Sequence, residues 1–144
     1  MTYSVRRVDP TDPTIAAALV GLQAFCLPGD AVYYPTSGWW FLARDKAGAV
    51  AGFAGMVPSA RWGDTVYFCR AGVLETHRGK GLQKRLIRAR VNHARKLGYK
   101  WVITNTYENP ASANSLISCG FRVFTPSKPW AAEGTTYWKL QLCQ

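Results

Sequence analysis

Val73-Leu74-Glu75-Thr76-His77-Arg78-Gly79-Lys80-Gly81-Leu82-Gln83 is the stretch whose reading decides this chain. Upstream, Thr65 to Val73 reads as a strand. Downstream, from Gly81 to Leu97, Leu82, Leu86, Ala89, His93 and Leu97 recur at helical spacing and share one face. The quoted segment is thus a strand end, a basic loop with two glycines, and the first turn of a helix. The first N–H groups of a helix have no acceptor within it, and its dipole makes that end positive. Gly79 and Gly81 allow close approach to the backbone, and Arg78 and Lys80 add full charges. The chemistry expected there is binding of a pyrophosphate-sized anion.

Charge around this loop is one-sided. Eighteen Lys and Arg against eight Asp and Glu give a formal net charge of +10. No acid lies between Glu75 and Glu108, whereas Arg78, Lys80, Lys84, Arg85, Arg88, Arg90, Arg95, Lys96 and Lys100 crowd that interval. Such a block attracts a polyanion, whether a nucleotide cofactor, a nucleic acid or a membrane surface. On the helical wheel Lys84, Arg88 and Arg95 fall opposite the apolar face.

The remaining elements alternate in kind. Tyr3 to Val8 alternates as a strand, and Asp12 is placed to cap a helix with Pro13 at its first position. That helix runs through Ile15, Leu19, Leu22 and Phe25 to Pro28-Gly29. After a loop holding Asp30, Tyr33 and Tyr34, the stretches Trp39 to Arg44 and Ala49 to Val57 form a hairpin closed at Asp45-Gly48. Gly98 stops the long helix. Trp101 to Thr106 is a strand, Asn109-Pro110 opens a short helix ending at Cys119-Gly120, and Phe121 to Thr125 and Thr135 to Leu142 are the last two strands. The class is α/β, in a single domain expected to span 1–144.

Several function classes are disfavoured. No apolar run approaches the ~20 residues that cross a bilayer, and Met1 to Arg7 lacks a signal-peptide core, so a cytoplasmic protein is expected. Cys26, Cys69, Cys119 and Cys143 are widely spaced, without Cys-x-x-Cys or a His pair, so neither metal nor disulfide framework is expected and the thiols read as free and mostly buried.

The stretch Val73 to Gln83 resembles the cofactor-binding motif of the GNAT superfamily, Q/R-x-x-G-x-G/A preceded five residues earlier by a strand Val. Arg78 fills the first position, Gly81 the fourth, and Gln83 stands where Gly or Ala is usual. Asn109 to Phe121, an Asn followed by a short helix and Gly-Phe, resembles the family's second motif. The resemblance implies a mostly antiparallel central sheet flanked by helices and splayed at its two central strands. It also implies transfer of an acetyl group from acetyl-CoA to a primary amine of a small molecule, peptide or protein, by direct attack in a ternary complex.

By the same resemblance, Ala71, Gly72, Val73, Arg78, Gly79, Lys80, Gly81, Leu82, Gln83 and Asn109 would hold acetyl-CoA. The acceptor would dock near Tyr33, Tyr34 and Trp39. Two familiar acid–base positions do not carry over, because Leu116 stands where many members have Tyr, and Thr104 where several have Glu. Glu108, at the end of the central strand, and then Tyr107 are the catalytic candidates. Two other readings stand beside this one. One is a nucleic-acid-binding module, or an acyltransferase acting on an RNA-linked substrate, that uses the basic helix 81–97. The other is an acyl-CoA binder without turnover.

Overall fold

The computed structural model describes residues 2–35 and 37–142; Cys143, one of the four cysteines read above as thiols, lies outside them. Among the described residues, seven strands form one sheet: β1 (Ser4–Val8), β2 (Trp39–Arg44), β3 (Val50–Pro58), β4 (Thr65–Val73), β5 (Trp101–Thr106), β6 (Arg122–Phe124) and β7 (Thr136–Gln141). Their order is β1-β2-β3-β4-β5-β7-β6, antiparallel except at β4–β5. The helices are α1 (Pro13–Cys26), α2 (Leu82–Lys96) and α3 (Pro110–Ser118).

Local sequence fixes the helix and hairpin ends. Asp12 caps α1, its Oδ1 accepting from Thr14 N at 2.8 Å, with Pro13 in the first turn. Asp45 Oδ1 accepts from Ala47 N and Ala49 N and shapes the β2–β3 turn. Strand alternation then sorts the core onto two faces. Phe41, Ala54, Val66, Phe68 and Val102 pack under α2 and α3, whereas Trp40, Leu42, Phe53 and Cys69 pack under α1.

Two helical faces differ from expectation. In α1, Phe25 is exposed and Gln23 is buried, because Gln23 follows Leu19 by four residues and takes the next place on the inward stripe. Its amide holds the loop beyond, donating to Tyr33 O at 2.6 Å and accepting from Tyr33 N at 2.8 Å. In α2 the buried stripe is Leu82, Leu86, Ile87, Arg90, Val91 and Ala94, rotated from the expected face. Leu97 caps the helix beyond its last turn and is 44% exposed. Of the described cysteines only Cys69 is buried; Cys26 and Cys119 are half-buried.

The centre of the sheet positions the site. β4 and β5 pair only from Thr65–Tyr67 to Trp101–Ile103. In the β3–β4 ladder, Cys69 and Arg70 together oppose Gly55, a bulge that bends β4 just past this point. Thr104 Oγ1 donates to Phe68 O at 3.1 Å, and beyond that bridge the two strands separate. Among the described residues, the edge of β4 from Arg70 to Val73 is therefore left without a strand partner on the β5 side.

Candidate active site

The loop after β4 makes one 3₁₀ turn, Glu75–His77, and is tied at both ends. Arg78 Nε donates to Val73 O at 3.1 Å, and the Tyr3 hydroxyl shares a 2.9 Å hydrogen bond with His77 Nδ1. Gly79 and Gly81 both take left-handed φ, +76° and +80°, which costs a side-chain-bearing residue strain. Gly81 is the N-cap of α2, no side chain among the described residues caps that helix, and its first turn contains no acid. Arg85 N is the first amide to bond back, to Gly81 O at 3.1 Å. The amides ahead of it carry the positive helix end and have no side-chain acceptor among the described residues.

A cleft of about 560 Å³ opens at this helix start. It is walled by Ala71, Gly72 and Val73 of β4, by Arg78, Gly79, Gly81, Leu82 and Gln83, and by Asn109, Ser112 and Ser115 of α3 and its cap. Every residue expected from the sequence to hold the cofactor lines it except Lys80, which is exposed and outside the lining. Lys84, expected on the far face of α2, lines the cleft instead, because it lies in the first turn beside Gln83. Asn109 keeps its capping role, its Oδ1 accepting from Ser112 N at 3.1 Å.

A second cavity of about 470 Å³ lies where β4 and β5 part. Leu27, Ala71, Gln83, Asn109 and Ser112 line both spaces, so the two adjoin where β4 and β5 part. A long anionic ligand gripped at the helix end would run along the open edge of β4 and deliver its far end between the strands.

A profile of the acetyltransferase (GNAT) family matches residues 13–121. The chain belongs to that family. A search of curated protein sequences finds no match. Solved structures with the same fold include an IAA acetyltransferase from Bacillus cereus ATCC 14579, with 19% identity, TM-score 0.76, and 98% of this chain and 100% of that one covered. A Bacillus subtilis acetyltransferase in complex with CoA gives 18% identity, TM-score 0.76, and 99% and 100% coverage. A phosphinothricin acetyltransferase from Sinorhizobium meliloti in complex with AcCoA gives 22% identity, TM-score 0.71, and 99% and 89% coverage.

In this GNAT protein the catalytic candidates read from sequence divide. Tyr107 lines the second cavity, though it is 54% exposed. Glu108 lines neither cavity; its left-handed φ of +47° turns the chain between β5 and Asn109. The one carboxylate in the lining of either cavity is Asp30, which the sequence reading placed in the acceptor loop without a chemical role.

The expected acceptor aromatics are not brought together. Trp39 points to the α2 face against His93 and Tyr99, while Tyr33 packs with Trp40 on the α1 face. Strand alternation between Trp39 and Trp40 separates them. Tyr34 is 68% exposed, and none of Tyr33, Tyr34 and Trp39 lines the two cavities.

Other aromatic residues flank the second cavity. Asn105 Oδ1 accepts from the Tyr67 hydroxyl at 2.8 Å and from Trp130 Nε1 at 3.1 Å, and the Trp130 ring lies 4.5 Å from that of Tyr137. Trp130 comes from the connection between β6 and β7, which carries no periodic signal in the sequence. Cys69 also borders this cavity, and burial pushes its thiol up to about 11 against the lesser pull of Arg90 and Arg70.

Proposed function

We propose that this chain transfers an acetyl group from acetyl-CoA to a primary amine by direct attack in a ternary complex. The observation that carries the reading is the uncapped start of α2, opening onto a cleft that adjoins the cavity between β4 and β5. The amides at Gly79–Lys84 with Arg78 and Lys84 suit the pyrophosphate, and the open β4 edge at Ala71–Val73 with Asn109 suits the pantetheine arm. The CoA and AcCoA bound to the Bacillus subtilis and Sinorhizobium meliloti proteins support this choice of donor.

At the far end of that edge an amide of β4 polarises the thioester carbonyl as it becomes an oxyanion. Asp30 takes the proton from the acceptor ammonium, and the free amine attacks the carbonyl carbon. The C–N bond forms, the C–S bond breaks, and the leaving thiolate takes up the second proton that the nitrogen sheds on becoming an amide, passed through water at Ser112, which borders both cavities. Cys69 stays a thiol at neutral pH, which favours direct transfer over an acyl-cysteine intermediate.

Thiol release from acetyl-CoA in the presence of a panel of primary amines tests the activity. For the best acceptor, Asp30→Asn should lower kcat about 100-fold or more while leaving acetyl-CoA affinity unchanged. Glu108→Gln should leave kcat within about two-fold. The reverse pattern would return the base to Glu108, and no thiol release with any amine would argue against transfer altogether.

A further inference from the structure

The second cavity ends on a charge that the transfer of an acetyl group does not use. Arg90 occupies the inward stripe of α2, is 3% exposed, and lines this cavity with Phe68, Ile87 and Leu116. Its Nε donates to Leu86 O at 3.2 Å and its Nη1 to Gly55 O at 3.2 Å. Its guanidinium carbon stands 3.9 Å from the centre of the Phe68 ring. Nη2 has no hydrogen-bond partner among the described residues. The titratable groups that couple to the guanidinium are the thiols of Cys69 and Cys119, and no carboxylate is among them.

Burial lowers its pKa to about 9, which still leaves it charged at neutral pH. Holding the Gly55 carbonyl opposite the bulge needs one neutral donor. A full cation set among Phe68, Ile87 and Leu116 exceeds that need, because a buried charge without an ion partner is costly. Phe68 offsets part of the cost through its ring face.

Position assigns the direction of approach. Gly81 starts α2 at the mouth of the first cleft, and Arg90 follows more than two turns along the same helix. Ala71 and Gln83, at the junction of the cavities, lie between the two. A thioester delivered at that junction would therefore present its acyl chain, rather than the CoA moiety, to Arg90. An acetyl group is too short to fill the space.

We propose a further activity for the same site: transfer of acyl groups that end in a carboxylate, of the malonyl and succinyl class, with Arg90 binding the distal carboxylate. This rests on the acyl-CoA reading above. The chemistry is unchanged. The amine nitrogen attacks the thioester carbonyl, the C–S bond breaks, CoA leaves as its thiol after taking up the amine's proton, and the product is an amide carrying a free carboxylate. The distal carboxylate takes no part in the bond changes and supplies selectivity alone.

The test compares succinyl-CoA with 4-methylpentanoyl-CoA, which replaces the terminal carboxylate by an isopropyl group of the same shape, and with acetyl-CoA. Calorimetric binding and thiol release are measured on the unaltered protein, Arg90→Lys and Arg90→Met. The unaltered protein should favour succinyl-CoA over its neutral isostere by about ten-fold or more, the size of a hydrogen bond to a charged partner. Arg90→Lys should retain part of that ratio, and Arg90→Met should abolish it while acetyl-CoA affinity stays within about two-fold.

Equal or weaker binding of succinyl-CoA by the unaltered protein overturns the proposal and needs no variant to fold. If acetyl-CoA binds and turns over in that case, the acyl-CoA reading survives alone; if no acyl-CoA binds, both fall. A third arm compares an amino acid with its decarboxylated amine as acceptors. If Arg90→Met shifts that acceptor ratio and leaves the donor ratio intact, the carboxylate read by Arg90 is the acceptor's and the proposal is overturned.

Discussion

Gly81 and Gly48 allow the backbone and ligand roles of the cradle to be separated. Both hold left-handed φ, +80° and +88°, and at both a Cβ would meet no heavy atom within 4 Å. Gly48 sits in the β2–β3 turn, whereas Gly81 lines the cleft at the start of α2. Replacing either by Ala forces an L-residue into the left-handed region, at about 1–2 kcal/mol. For a domain of this size that lowers Tm by roughly 3–8 °C, equally for both variants.

Only Gly81→Ala also places a methyl group where a phosphate would approach the backbone amides. Losing one hydrogen bond to a charged oxygen costs about 1.5–3 kcal/mol of binding energy, a roughly 10- to 150-fold loss of acetyl-CoA affinity. Thermal melts and calorimetric titration of acetyl-CoA, run in parallel on the two variants, make the comparison. If Gly81→Ala melts like Gly48→Ala and binds acetyl-CoA as tightly as the unaltered protein, the helix start is not the phosphate site and the reasoning fails.

Two further outcomes are expected from groups already described. Cys26 lines the cleft and is only half-buried, burial raising its thiol against the pull of Arg78, so acetyl-CoA should slow its alkylation at pH 8 several-fold in peptide-resolved mass spectrometry, while Cys69, buried and pushed up to about 11, stays unlabelled with or without ligand; a Cys26 rate indifferent to acetyl-CoA would move the ligand elsewhere. Burial, then the charges of Arg7 and Lys96, hold the pKa of His93 below its ordinary value between the rings of Trp39 and Phe41. As pH falls through the His value of the unfolded chain, about 6.5, the unfolded state takes the proton first and stability is lost. His93→Leu should flatten the fall in Tm between pH 7.5 and 5.5, and an unchanged slope would place the titrating group elsewhere.

Much of this architecture is legible in sequence because it is set locally. Asp12-Pro13, the Asp45 turn, the Gly81 start and the Gly98 stop all announce themselves through caps and left-handed glycines. The cofactor loop is legible for the same reason, since its donors come from a contiguous run of backbone. What was not legible depends on what stands opposite. Periodicity says that Trp39 and Trp40 face opposite ways, but not which of them meets α1. Asp30 and Glu108 look equally free as letters, and only the separation of β4 from β5 makes one a wall of the cavity. Arg90 reads as one more member of a basic run until α2 is docked.

That last residue changes what the basic segment means. Its nine cations do not form one polyanion-binding face. Arg78 and Lys84 line the cleft, Arg90 is inside the protein, and Arg85 Nη1 donates to Tyr3 O at 2.9 Å. Lys80, Arg88, Arg95, Lys96 and Lys100 remain exposed. The 15 residues of α2 extend for about 22 Å, so Arg95 and Lys96 stand roughly two screening lengths from Gly81 at 0.1 M salt. Their charge contributes little at the helix start. The field there comes from the uncapped amides and from Arg78 and Lys84, which is what a ligand with its phosphates at one end requires. A ligand spread along the helix would need the exposed cations to line up, and the inward turn of Arg90 breaks that line.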